Sequence, residues 1–193
     1  MDWDILYTTC QNCNRCPLSE SRTNAVIGRG NREADIMFIG EGPGFHEDNE
    51  GLPFVGPAGQ LLDKMLAAID LSEKDVYIAN IVKCRPPGNR DPKPDEQEQC
   101  MNYLRYQLKL IQPKIIVMLG RISASAIVAR GENPFDSEFR ITKHRGIWFE
   151  RKGIQMMATY HPAALLRDEE KKRPAWEDFK ELKRRVAGLS DAP

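Results

Sequence analysis

The feature that most constrains this chain is a rhythm. Short apolar runs, each stopped by glycine or a polar residue, alternate with stretches whose apolar residues recur at helical spacing. Asp35 to Ile39 is such a run, stopped by Gly40, and a run of this length bounded by a turn signal predicts a buried strand. Val76 to Val82 and Ile115 to Leu119 repeat the pattern. Ile147 to Glu150 and Ile154 to Ala158 flank Arg151-Lys152-Gly153, which predicts a hairpin. Between them, Ala58 to Asp70 places Leu61, Leu62, Met65, Leu66 and Ile69 on one helical face. Asp95 to Ile111 predicts a second helix, with Pro94 at its start and Asp95, Glu96 and Glu98 where the helix dipole favours acid. Arg121 to Ala129 is small and helical, and Pro174 to Ala187 reads as a closing helix. Residues 42 to 57, rich in glycine and proline, read as a loop. Pro86, Pro87, Gly88, Pro92 and Pro94 make residues 85 to 94 a stiff loop, because a helix cannot run through them.

This order predicts an α/β fold: a three-layer αβα sandwich around a mainly parallel four-stranded sheet, as a single domain over 1–193. In such sheets ligands bind beyond the carboxyl ends of the strands. The unusual residues gather there: Gly40-Glu41-Gly42-Pro43-Gly44 after the first strand, Asn80 and then Cys84 after the second, Tyr160-His161-Pro162 after the last. Parallel strands would bring them to one rim.

Composition narrows the function. Lysine and arginine number 28, as do aspartate and glutamate, for a net charge of zero. That excludes a polybasic nucleic-acid coat and leaves room for local patches. No apolar run is long enough to span a bilayer. Met1-Asp2-Trp3-Asp4 lacks the basic-then-apolar layout of a signal peptide, so a cytoplasmic, reducing setting is expected. Five cysteines in such a setting point to metal or catalysis before disulfides.

Cys10, Cys13 and Cys16 are each separated by two residues; Cys84 and Cys100 lie far along the chain. One close pair plus the distant two supply four thiolates, which suit an iron–sulphur cluster or zinc. Spacing alone leaves that choice open, and one cysteine is left over. Glu41 between two glycines reads equally as a turn carboxylate or as a group beside a ligand. Asn80 in an apolar strand needs a hydrogen-bond partner, whether structural or a ligand. Phe54, in a loop, either caps the core or stacks on a planar ligand. His161, at a strand end, reads on its own as a core or surface histidine before it reads as a donor to an oxygen where charge develops. Arg140, Lys143, His144, Arg145, Arg151 and Lys152 form a basic stretch, and Arg167, Lys171, Lys172 and Arg173 a second; both are candidate phosphate contacts or solvated faces.

Taken together, these motifs resemble the family 4 uracil-DNA glycosylases. Gly40 to Gly44, Glu47-Asp48 and Gly51 to Leu62 resemble their first motif, Tyr77 to Pro87 their second block, and His161 to Arg167 their last. The match runs in order from about Cys13 to Arg167. The resemblance implies a base-excision repair hydrolase that flips deoxyuridine out of DNA and cuts its N-glycosidic bond. It implies that Phe54 stacks on uracil, Asn80 reads its polar edge, and the backbone around Gly42 helps hold the base. His161 would donate to uracil O2, and Glu41 would serve the cationic sugar, the attacking water, or both. Leu165 is the first candidate and Leu166 the second for a wedge in the base stack, with Arg167 on phosphate. Cys13, Cys16, Cys84 and Cys100 would hold a 4Fe–4S cluster, leaving Cys10 spare. The partner is uracil-containing DNA and no membrane, with the protein a monomer.

Two departures matter. Phe45-His46 stands where many relatives carry charged or small residues. His144 lies where a related branch, which traps uracil-DNA covalently, uses a histidine in a longer basic loop. The rival readings are therefore a trap without turnover and a nucleotide-binding protein with structural zinc.

Overall fold

The computed structural model describes residues 2–129, 135 and 138–190. The chain begins with helices α1 (Trp3–Gln11) and α2 (Leu18–Ser21). It continues through β1 (Arg29–Gly30), β2 (Ile36–Gly40), α3 (Phe45–Glu50), α4 (Pro57–Ala67) and β3 (Val76–Asn80). A 3-10 turn at Pro87–Asn89 precedes α5 (Pro94–Ile111), β4 (Ile115–Leu119), α6 (Arg121–Val128), α7 (Ile141–His144), β5 (Trp148–Arg151) and β6 (Ile154–Thr159). The last elements are α8 (Pro162–Arg167), a 3-10 turn at Glu169–Lys171 and α9 (Lys172–Ser190).

The strands form one sheet in the order β1-β3-β2-β4-β6-β5. The inner four are parallel, with Ile36 opposite Val76 on one side and Ile115 on the other, and Ile115 opposite Gln155. These are the expected four. Every residue of β2, β3 and β4 is buried, the reason they read as unbroken apolar runs.

The sheet nevertheless has six strands, because β1 and β5 add antiparallel edges. A parallel sheet ends in unpaired backbone groups, and short edge strands cover them. At two residues, β1 is too short to leave a periodic pattern.

Side chains alternate between the two faces of a strand, and the core divides accordingly. Met37, Ile39, Ala79, Ile116 and Met118 pack with Leu6 and Cys10 of α1, Leu104 of α5 and Val128 of α6. Ile36, Phe38, Ile78 and Val117 pack with Leu62 and Leu66 of α4 and Phe179 and Leu182 of α9. Helices thus cover both faces, which is the three-layer sandwich. Among the described residues no helix is long and apolar enough to cross a membrane.

Of the helices that the sequence reading did not expect (α1, α2, α3, α7 and α8), three show why. Asp2 caps α1, its carboxylate accepting from the Ile5 N–H at 2.9 Å. In the expected loop, α3 begins at Gly44, and the Glu47 side chain reaches back to the Gly44 N–H at 3.1 Å. His161 itself opens α8. All three owe their ends to side-chain or glycine caps rather than to apolar periodicity.

Candidate active site

The loops after the four parallel strands converge, as the rim argument requires. They enclose a cavity of about 580 Å³ lined by Glu41, Gly42, Phe54, Asn80, His161 and Arg167, among others.

Asn80 ends β3 opposite Gly40 of β2 and is 1% exposed. A Cβ on Gly40 would lie 2.4 Å from Asn80 Oδ1 and 2.6 Å from the Phe54 ring, so only glycine leaves these two side chains their places. Among the described residues, Asn80 Oδ1 is buried without a hydrogen-bond partner. Leaving such an acceptor unpaired costs about 1–3 kcal/mol, so an orphaned amide facing a cavity calls for a partner from within it, a water or a ligand.

Phe54 is held in the left-handed region at φ 56°, a conformation costing about 1–2 kcal/mol for a residue with a Cβ. Its surroundings impose it. Glu47 Oε1 accepts from the N–H groups of Val55 and Gly56 at 3.0 and 2.9 Å, and Arg29 donates to the Phe54 carbonyl at 3.2 Å. A Cβ on Gly59 would sit 1.7 Å from that carbonyl oxygen, so α4 approaches only because residue 59 is glycine. The Phe54 ring then stacks on His161, with centroids 5.5 Å apart and planes at 29°. Glu47 was visible in the sequence only as part of a motif; its clamp joins segments that become neighbours only in the fold.

His161 Nδ1 accepts from the Ala163 N–H at 3.1 Å. In the neutral ring the proton therefore sits on Nε2, which remains as a donor. Removal from water pulls the His161 pKa down to about 4; Arg167 pushes the same way and Glu47 opposes. The imidazole is neutral at physiological pH. Burial pushes the Glu41 carboxyl up to about 7, Asp91 adds to the rise, and Arg121 and Arg167 oppose it. Asp91 and Arg121 pair at 2.6 Å on the same cavity wall; sequence reading singled out neither.

The two leucines differ in exposure. Leu165, the first candidate for the wedge, is 1% exposed and belongs to the interior. Leu166, the second, is 50% exposed. On a short helix, adjacent residues face in different directions, and Leu165 takes the inward one. Arg167 is exposed beside it.

Half of the first basic stretch, His144, Arg145 and Arg151, is spent inside the protein, while Arg140, Lys143 and Lys152 are exposed. Arg145 Nε donates to Asp178 Oδ2 at 2.9 Å, and the Thr159 hydroxyl donates to the same oxygen at 2.6 Å. The Arg145 guanidinium also lies 5.7 Å over the ring of Tyr160, which lines the cavity. Arg151 donates to the Ile127 carbonyl at the end of α6. His144 is buried and stacked on Phe135 at 4.3 Å, with Nδ1 accepting from the Arg140 N–H. It does not line the cavity.

The cysteines occupy a different place. All five line a second, smaller cavity with Arg22, Lys83 and Tyr103, on the α1 and α5 face of the sheet. Arg22 donates to Cys84 Sγ and the Lys83 N–H to Cys100 Sγ, each at 3.2 Å. Burial pushes the Cys10 and Cys100 thiols up to about 12 and raises Cys16 and Cys84. Among the described residues no three His, Cys, Asp or Glu side chains form a group able to hold a single metal ion.

Lys83 joins the two places. It is 1% exposed, and its Nζ donates to the Asn80 carbonyl at 2.7 Å and to Gln107 Oε1 at 2.6 Å. Gln107 in turn donates to the Ile27 carbonyl and the Tyr77 hydroxyl. The backbone carrying the orphaned amide and the backbone carrying a sulphur contact are thus three residues apart and tied by one ammonium.

Comparison with known proteins places the chain in a family. A profile described as the uracil DNA glycosylase superfamily matches residues 27–180. The chain is 45% identical to the type-4 uracil-DNA glycosylase of Archaeoglobus fulgidus over 184 residues, covering 93% of this chain and 90% of that one. It is 49% identical to the type-4 uracil-DNA glycosylase of Sulfurisphaera tokodaii over 178 residues, covering 89% and 79%. A type-5 uracil-DNA glycosylase of Pyrobaculum aerophilum is 30% identical, covering 84% and 83%.

Proposed function

The chain belongs to the uracil DNA glycosylase superfamily, and from that premise we propose that it is a type-4 enzyme releasing free uracil from DNA in base excision repair. The observation that carries the reading is the unpartnered Oδ1 of Asn80, buried in a cavity walled by the Phe54 ring. Uracil presents an N3–H donor beside the O4 acceptor, and an asparagine amide matches both. Cytosine reverses both groups, which leaves mispaired polar atoms buried; sites of this kind reject the wrong base strongly.

The reaction adds water across the bond between uracil N1 and sugar C1′. The bonding electron pair leaves with the base, hydroxide equivalent goes to C1′, and the remaining proton goes to uracil. His161 donates from Nε2 to O2 and disperses the negative charge of the departing base. A neutral imidazole suffices, as a fixed donor aimed at developing charge is worth about 3–4 kcal/mol. Glu41, when ionised, balances the cationic sugar and orients the water. Phe54 stacks on the extracted base, and the backbone at Gly42 helps to hold it. Leu166 fills the vacated stack, and Arg167 takes a phosphate.

The second cavity supports the iron–sulphur reading through its donor set. Soft thiols surround one space without converging on one point, and Arg22 and the Lys83 N–H point at sulphur. A multi-iron cluster needs such spacing and such hydrogen bonds. Cys13, Cys16, Cys84 and Cys100 would hold a 4Fe–4S cluster, with Cys10 as the fifth thiol. Bound there, the cluster would cross-link the N-terminal segment to the proline-rich loop and α5. We take the chain as one domain, monomeric and cytoplasmic, acting on uracil-containing DNA.

Turnover is favoured over trapping because His144 is packed against Phe135, away from the cavity. The test is release of free uracil from a uracil-containing oligonucleotide in excess. Many equivalents per protein are expected; one equivalent with protein held on DNA would establish a trap, and none would end the reading. Asn80→Asp should retain the fold while losing most of its preference for uracil over cytosine. Unaltered preference would remove Asn80 from base recognition.

A further inference from the structure

Phe45 opens α3 immediately after Gly44, which lines the active-site cavity. Its ring is 54% exposed, an unusual outlay for an aromatic that nothing in the sequence requires as core. The ring is not loose. The Arg85 guanidinium lies 5.1 Å over it, and His46 meets it edge-on at 5.7 Å. Arg85 Nε donates to Asn89 Oδ1 at 2.7 Å, and Asn89 lines the cavity. One ring face is thus covered by a cation, while the ring as a whole stays open to solvent beside the cavity mouth. Among the described residues the hydrogen-bond partner of the Arg85 side chain is a neutral amide, and no carboxylate pairs with its charge.

Sheet order sets where this pair stands. Arg85 and Asn89 follow β3, and Leu166 follows β6; these are the two ends of the parallel set β3-β2-β4-β6. Leu166, and Phe45 through its Arg85 contact, are thus tied to opposite ends of that set. The two residues suit different tasks. An aliphatic side chain fills a gap, whereas a braced aromatic offers a flat face on which any base can stack.

We infer that Phe45, braced by Arg85, is a stacking platform for a nucleobase adjoining the extracted uridine, with Arg85 on the neighbouring phosphate. The inference rests on the glycosylase reading and names how the DNA is held outside the pocket. It gives a purpose to the one stretch of the first motif where this chain departs from the family pattern.

The test is binding, measured by fluorescence anisotropy with single-stranded oligonucleotides carrying 2′-fluoro-2′-deoxyuridine. The fluorine disfavours the sugar cation, so the probe is bound but not cut. Three probes are used: intact neighbours, an abasic spacer on the 5′ side, and one on the 3′ side. Phe45→Ala should raise Kd for the intact probe by roughly 5- to 150-fold, and Phe45→Trp should restore it. The loss should vanish on one spacer probe and persist on the other. Arg85→Gln should weaken all probes and reduce the slope of log Kd against log salt by about 0.7, the single-strand value for one phosphate. An unchanged Kd for Phe45→Ala, or an equal loss on both spacer probes, would overturn the platform. Failure of the glycosylase reading would show elsewhere, as a wild-type protein that releases no uracil from ordinary deoxyuridine.

Discussion

The two cavities of this protein are built on opposite principles. The active-site cavity is assembled from four loops that the parallel sheet holds in register. Glycines at 40 and 59 let backbone and rings approach, and a carboxylate clamp at Glu47 sets Phe54. It keeps its polar groups unsatisfied or opposed: an orphaned amide oxygen, a carboxyl pushed towards 7, an imidazole held neutral. The cysteine cavity draws on α1, the segment after it, the residues following β3 and the first turns of α5. Five cysteines line it, and the Arg22 guanidinium and the Lys83 backbone N–H point at their sulphur. The first place is preorganised by the fold. The second gathers segments that a cluster would hold together. A site for chemistry carries its cost in strained and unpaired groups, whereas a site for cross-linking carries it in buried thiols that need a metal to ionise them. Lys83 is where the two meet, through one ammonium and one N–H.

The sharpest way to break this contrast is to damage one place and read both. His161→Ala should lower kcat about 100- to 1,000-fold, as loss of an oxyanion-type donor does, and leave iron content unchanged. Iron lost along with activity would mean that the two places are one cooperative unit. The reverse experiment compares two cysteines. Cys84→Ser should abolish most of the iron and the broad absorption near roughly 400 nm that an iron–sulphur cluster gives, while Cys10→Ser should keep both. Equal losses would overturn the choice of ligands.

Smaller effects sharpen the account of the active site alone. Since Glu41 acts ionised, kcat/KM should rise about tenfold per pH unit below its pKa of about 7 and level off above it. No second limb from His161 should appear until pH falls towards 4. The same carboxyl makes a stability prediction. Its folded pKa lies above its unfolded value, so the fold binds the proton more tightly, and stability is lost as pH rises from about 4.5 through about 7. Glu41→Gln should therefore raise Tm at pH 8 and leave it nearly unchanged at pH 4, while removing activity. A Tm gain equal at both pH values would show that its charge is not what burdens the fold.

Legibility followed locality. Strands β2, β3 and β4 were readable because burial on both faces leaves an unbroken apolar run. Helix α5 was readable because Pro94 and its acidic neighbours mark a start. Helix α3 was not, since six mostly polar residues carry no periodicity and its ends depend on Gly44 and on Gly51 at φ 74°. The basic stretch near residue 145 was only half legible for a related reason. Charge is visible in a sequence, but the partner that consumes it, Asp178 in α9, lies 33 residues away. Leu165 and Leu166 are adjacent and chemically alike, so only the path of α8 assigns one to the interior and the other to the surface.

By itself the sequence determined the layered α/β architecture, the rim at which the unusual residues meet, and the thiol set on offer. These follow from period, punctuation and residue chemistry, all of which act over a few neighbouring residues. The tertiary structure alone decided that Asn80 Oδ1 has no partner, that Phe54 is held left-handed against His161, that His144 is packed away, and that Lys83 ties the two cavities. Each of those is a relation between segments distant in the chain. Burial, pairing and desolvation belong to the surroundings of an atom, and the surroundings exist only once the sheet has closed.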